Sequence, residues 1–170
     1  KDGETTTEWK AEDQVVCGDA MPECSGTFGI NMDYRGIFLN MSFYYQFGGQ
    51  TYNQTLVDRV ENANVGLNVD KRIYNAVWKK PGDRVDFSYN PYRLTKPSSR
   101  FVQDLNELRL SSLNVGYDFR HCAFLKKSRL QQLKASFYMD DVFRASTVKT
   151  ERGLTYPFAR TFSFSLQATF

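Results

Sequence analysis

The end of the chain is written in period two: Phe162, Phe164, Leu166, Ala168 and Phe170 alternate with Ser163, Ser165, Gln167 and Thr169. Successive side chains of a β-strand point to opposite faces, whereas a helix repeats about every 3.6 residues, so this segment is a strand with one apolar and one polar face. The same pattern recurs upstream. Ile37, Leu39, Met41, Phe43, Tyr45 and Phe47 oppose Phe38, Asn40, Ser42, Tyr44 and Gln46. Phe28, Ile30, Met32 and Tyr34 alternate with Gly29, Asn31 and Asp33, and Arg35-Gly36 offers a tight turn that joins the two runs as a hairpin. Leu113, Val115, Tyr117 and Phe119 form one further run, and Leu133, Ala135, Phe137 and Met139 another. Leu108 and Leu110 lie in the opposite parity to Leu113, which places a β-bulge at Ser111-Ser112.

These runs predict an all-β, antiparallel chain with strands near 27–35, 37–47, 107–119, 131–139 and 160–170. The second is long enough to cross a bilayer, which takes a strand of about 9–11 residues. Composition agrees with that geometry. Aromatic residues make up 15% of the 170, with 14 Phe and 10 Tyr, yet the mean hydropathy is only −0.51. A transmembrane helix is excluded because no stretch approaches about 20 apolar residues. Transmembrane strands are not, because alternation keeps the average polar. A net charge of +3 is too small to argue for nucleic acid. Lys1-Asp2-Gly3-Glu4 opens no apolar leader, so the chain is expected to be a piece of a longer one.

The connections are very unequal. The stretch 48–106 carries the turn signals Pro81-Gly82, Asn90-Pro91 and Lys96-Pro97-Ser98-Ser99, and is far longer than an ordinary loop. Within it, Gln54 to Val65 reads as a short helix with Leu56, Val57 and Val60 on one face, and Gly48-Gly49 marks a strand end. Long connections on one side of a sheet and short ones on the other are the habit of outer-membrane barrels.

Chemistry-bearing residues are sparse. His121 is the sole histidine, and no nucleophile elbow accompanies it, so no catalytic residue is assigned. Asp140-Asp141 and Asp83 with Asp86 could pair for acid–base work or calcium, but no EF-hand spacing surrounds them and solvated loop residues are the simpler reading. Cys17, Cys24 and Cys122 with His121 do not have the spacing of a structural zinc site, so no metal or cofactor is expected. Cys17 and Cys24 flank a turn-like segment and could bridge its arms in an oxidising compartment. Three function classes fit the residues to different degrees: an outer-membrane barrel, a soluble β-sandwich that binds carbohydrate through loop aromatics, and an enzyme fragment using Asp140 and Asp141. A chain ending at Phe170 after an aromatic alternating strand favours the first.

A set of short motifs then occurs in one order. Gly18-x-x-x-Pro22-x-x-x-Gly26-x-Phe28-Gly29 is followed by Tyr34-Arg35-Gly36-Ile37-Phe38-Leu39 and by Tyr45 to Asn53. Next come Trp78-x-x-Pro81-Gly82-Asp83, Ser99-Arg100-Phe101-Val102-x-Asp104 and Leu108-Arg109-Leu110-x-x-Leu113-x-Val115-Gly116-Tyr117, and the last is Tyr156-Pro157-x-x-Arg160-Thr161-Phe162-Ser163-Phe164. Together they resemble the late barrel of the SusC/RagA family of TonB-linked outer-membrane transporters. The usual Asn-Leu-Phe reads Asp141-Val142-Phe143 here, and Cys17 and Cys24 are not part of the family pattern.

The resemblance implies that the chain is the last five to six strands of a barrel of about 22 strands, whose plug domain and earlier strands lie upstream. It implies an importer, not an enzyme, in the outer membrane of a Gram-negative bacterium. Glycans or peptides would be taken up with a SusD-like surface lipoprotein, powered through TonB. Phe162, Phe164, Leu166 and Phe170 would be read by the barrel-assembly machinery, the apolar face would meet lipid, and Tyr45, Tyr117 and Phe170 would lie near the interfaces. Asn31, Asp33, Asn40, Ser42, Lys134 and Tyr138 would line the lumen. The stretch 48–106 would be the large outer loop, where Trp78, Tyr89 and Tyr92 are the candidate substrate contacts, and Cys17 and Cys24 would lie outside.

Overall fold

A computed structural model describes residues 8–64, 66–88, 95–123, 125, 130–149 and 159–170. Its framework starts from the hairpin. Arg35 (φ 50°) and Gly36 (φ 89°) both take the left-handed backbone that a two-residue type I′ turn requires, and Tyr34 pairs with Ile37 across it. The strands it joins are β1, Cys24–Tyr34, and β2, Ile37–Tyr52. Three more follow: β3, Val102–Asp118; β4, Gln132–Ser146; and β5, Phe162–Thr169. They form one sheet in the order β1-β2-β3-β4-β5, so each strand is hydrogen-bonded to its sequence neighbour. The sheet is open, with β1 and β5 at its two edges.

Three boundaries differ by five residues or more from those read in the sequence, and β1 starts three residues early, at Cys24. β2 runs on through Gly48-Gly49 to Tyr52, β3 begins at Val102, and β4 continues past Met139 to Ser146. Gly48, at φ 80°, bends the strand without ending it. The register does shift between Leu110 and Ser112, but the surplus is on the neighbouring strand: Asp141 and Val142 face Ser111, and Asp141 takes φ 48°. Asp tolerates this backbone better than most residues, which suits it to a bulge.

The chain divides into two compact units. The first comprises 22–48, 106–147 and 158–170 and contains most of the sheet. On one of its faces, Phe28 stacks on Phe43 at 4.8 Å, and Phe137 lies 6.0 Å from Phe162. On the other, Lys134 Nζ sits 4.2 Å above the Phe38 ring. A side chain at Gly116 would run into that ring and into the Ala135 carbonyl, so the glycine lets the aromatic lie flat on the strand.

The second unit comprises 1–21, 49–105 and 148–157 and has its own core of Leu56, Val57, Val60, Val77 and Phe101, with Ile73 and Phe87 packed against it. The long connection is therefore folded. Asn53 starts its first helix by accepting from the Leu56 N–H at 3.3 Å and donates to Gln103 at 2.8 Å. That helix is α over Gln54–Leu56 and π over Val57–Glu61, and ends at Asn62 rather than near Val65. Its predicted apolar face, Leu56, Val57 and Val60, is buried. Arg100 pairs with Glu61 and lies over the Phe101 ring, and Arg72 pairs with the buried Asp70.

Candidate functional site

Strand register decides which residues share a face. Ile30 lies opposite Met41 and Met32 opposite Leu39; Leu113 opposite Met139 and Val115 opposite Phe137; and Phe137 opposite Phe164. The alternating apolar stripes are thus one face of one sheet, and much of it is uncovered. Phe162, Phe164 and Leu166 are 71%, 72% and 63% exposed, and Phe28, Met32, Phe47 and Phe143 are exposed too. Burying one such side chain is worth about 1.5–3 kcal/mol, so a continuous face of them left in water would outweigh the stability of an ordinary domain. The apolar solvent that suits it is lipid, with lipid-facing and polar residues alternating as in transmembrane barrels. A β-sandwich would lay a second sheet on this face, and the described residues form a single one.

The opposite face is polar and ordered by hydrogen bonds. Tyr44 donates to Gln46 at 2.7 Å, and the Tyr138 hydroxyl to Asp140. At the hairpin end, Asp118 accepts from Arg120 Nε at 2.8 Å and from Gln132 Nε2 at 2.9 Å, and its N–H donates to the Gly36 carbonyl at 2.7 Å. Lys134 and Tyr138, read from the sequence as lumen residues, belong to this face.

The second unit contains a cavity of about 670 Å³, within the size range of small-ligand sites. Its wall is made by the segment 8–20, by Gln50, Thr51 and Tyr52 of β2, by Pro97, Ser98 and Ser99, and by Val102. Gly18, at φ 79°, brings this first segment close to the strand, and the Gln50 N–H donates to the Asp19 carbonyl at 2.7 Å. A Cβ at position 18 would strike the Gln50 side chain. Trp9 and Tyr52 supply aromatic surface. Asp13, Gln14, Asp19 and Ser98 supply polar groups, and Lys96 Nζ lies 5.4 Å from the Trp9 ring centroid. Flat rings beside hydrogen-bonding side chains can hold a sugar ring or a peptide segment.

Of the sequence-predicted contacts, one lies among the described residues. Trp78 is 47% exposed on the same unit, its N–H donating to the Phe87 carbonyl at 2.9 Å, and it is not part of the cavity wall. Tyr89 and Tyr92 lie outside the described residues, as do Asn90-Pro91 and Tyr156-Pro157. Cys17 lines the cavity and Cys24 opens β1, and both thiols are free and exposed. Trp9 and Tyr52 were missed because neither stands in a loop aromatic cluster. A lone Trp among Glu8, Lys10 and Glu12, outside any alternating run, was the available signal. Asp140 accepts from Tyr138 and Asp141 occupies the bulge. Among the described residues, no group of His, Cys, Asp and Glu could hold a metal ion, and no helix is long and apolar enough to cross a membrane.

One sheet with a lipid-type face, a polar face and a folded long connection is a segment of a transmembrane β-barrel. The comparisons agree. Over 99% of its length the chain superposes on the RagAB peptide importer in its 'open-open' state, with a TM-score of 0.72 at 18% identity and 19% of that chain covered. The 'closed-closed' state of the same importer gives 0.68 at 17% identity, over 97% of this chain and 19% of that one. A curated relative, TonB-dependent receptor P3 of Formosa agariphila, is 26% identical over 179 aligned residues, which is 93% of this chain and 17% of the relative. No family model matches. The resemblance drawn from the motifs is therefore met in sequence by a TonB-dependent receptor and in fold by the RagAB importer, with this chain falling on the C-terminal barrel portion. The chain spans about a sixth to a fifth of the length of these proteins.

Proposed function

We propose that the chain is the C-terminal barrel portion of an energy-coupled importer in a Gram-negative outer membrane, which moves glycan or peptide cargo without chemistry on it. The observation that carries this is the exposed apolar face of a single antiparallel sheet, a surface that suits lipid and not water. The fold shared with a peptide importer and the sequence likeness to a TonB-dependent receptor support it. On this reading TonB powers the step, a SusD-like lipoprotein lids the outer side, the barrel-assembly machinery inserts the chain through Phe162, Phe164, Leu166 and Phe170, and the Trp9–Tyr52 cavity offers cargo a first contact.

The test is gel mobility of purified outer membranes with and without boiling, with mass spectrometry of the excised band. A band of full transporter size that shifts on boiling and contains peptides of this sequence is the expected result. A soluble species of 19.7 kDa with no shift would overturn the reading and favour the carbohydrate-binding module.

A further inference from the structure

Arg35 stands where the backbone does not favour it. The first residue of a two-residue type I′ turn has a positive φ, which suits Asn or Gly, yet position 35 is an arginine at φ 50°. The turn closes with Tyr34 opposite Ile37 and needs no cation to do so. Arg35 is exposed, its guanidinium lies 5.2 Å from the Tyr34 ring centroid, and among the described residues no carboxylate pairs with it. Alternation along β1 puts Tyr34 on the apolar face with Phe28, Ile30 and Met32, and Asp33 on the polar one. Tyr34 and Ile37, 65% and 51% exposed, end that face at the hairpin turn. The guanidinium therefore stands at the margin of the apolar face. Arg120, at the same end of the sheet, is already paired with Asp118, whose N–H donates to the Gly36 carbonyl at 2.7 Å.

We propose that Tyr34 and Arg35 form a docking site for the phosphate of an anionic phospholipid in the leaflet at the hairpin end. Acyl chains lie along an apolar face, and headgroups begin where that face stops, the level at which tyrosine rings and arginine heads come to rest. The guanidinium fork matches two phosphate oxygens in parallel hydrogen bonds, and its contact with the Tyr34 ring restricts the rotamers that binding must fix. Short turns of outer-membrane barrels face the periplasm, the side on which the leaflet is phospholipid. An arginine in a left-handed turn position is strained for the sake of something other than the turn, and a headgroup supplies the anion it lacks. The inference rests on reading the apolar face as the lipid face.

The test uses the full-length transporter in phosphatidylcholine nanodiscs doped with phosphatidylglycerol that carries a diazirine on its headgroup. After illumination, mass spectrometry measures labelling of the peptide that contains residues 33–38 in wild type, Arg35→Asn and Arg35→Lys. Asn suits the turn, so Arg35→Asn should keep the heat-dependent mobility shift and lose about fivefold in labelling, the scale of one basic residue at an anionic membrane surface. Arg35→Lys should keep more than half. Unlabelled phosphatidylglycerol should displace the probe, whereas diacylglycerol with the same chains and inorganic phosphate should not. The inference is overturned if Arg35→Asn labels like wild type, or if it loses the mobility shift, which would make the arginine a structural residue of the turn. Displacement by inorganic phosphate would overturn the lipid source and leave a site for free anions. Absence of the mobility shift in wild type would instead overturn the transporter reading.

Discussion

Gly116 shows how a single missing side chain shapes the sheet. Phe38 is 8% exposed because its ring lies where a Cβ on residue 116 would be, and Lys134 closes over the ring. Gly116→Val forces the ring off the strand, and overpacking of this kind costs about 1–3 kcal/mol. The barrel should then lose its mobility shift at a lower temperature than wild type, while Gly29→Ala, where the nearest atom to an added Cβ is 3.4 Å away, should not. On the opposite face the governing quantity is lipid contact. Phe137, in the middle of β4 and opposite both Val115 and Phe164, is a severe place for a charge. Phe137→Arg costs about 2–4 kcal/mol at bilayer depth and should deplete the protein from the outer-membrane fraction. Phe137 was legible in the sequence because alternation alone assigns its face. The role of Gly116 was not, since it depends on which strand lies beside it.

At the level of elements, the helix at Gln54–Glu61 and the strands differ in how far the sequence exposes them. Leu56, Val57 and Val60 are close neighbours in the chain, so their common face could be read directly. Their partners Val77, Phe87 and Phe101 come from distant positions, and local pattern has no access to such pairing. The bulge divides in the same way. The break in parity between Leu110 and Leu113 located the register shift, but only the partner strand reveals that Asp141 supplies the left-handed residue. Phe101, fully buried and in ring contact with Tyr52 and Phe87, holds the second unit together. Phe101→Ala should cost this unit about 3–5 kcal/mol. Limited proteolysis of intact membranes should then cut at the exposed Lys79-Lys80 turn, with the mobility shift of the barrel unchanged.

At the level of the molecule, β1 and β5 each leave one edge without a partner among the described residues. Unpaired backbone groups are not tolerated in hydrocarbon, so the 170 residues alone should not insert as a stable body. Refolded by themselves in detergent they should show no difference between boiled and unboiled mobility, whereas the full-length protein should. The second unit differs in this respect. Its core of Leu56, Val57, Val60, Val77 and Phe101 is drawn from its own residues, and both Trp9 and Tyr52 lie within it. On the function proposed above, such a unit changes what it recognises while the apolar stripes of the sheet stay as they are. Exchange of the unit's segments 8–21 and 49–105 together between relatives would then carry Trp9 and Tyr52 with their core, so that the membrane wall and the selection of cargo are free to evolve at different rates.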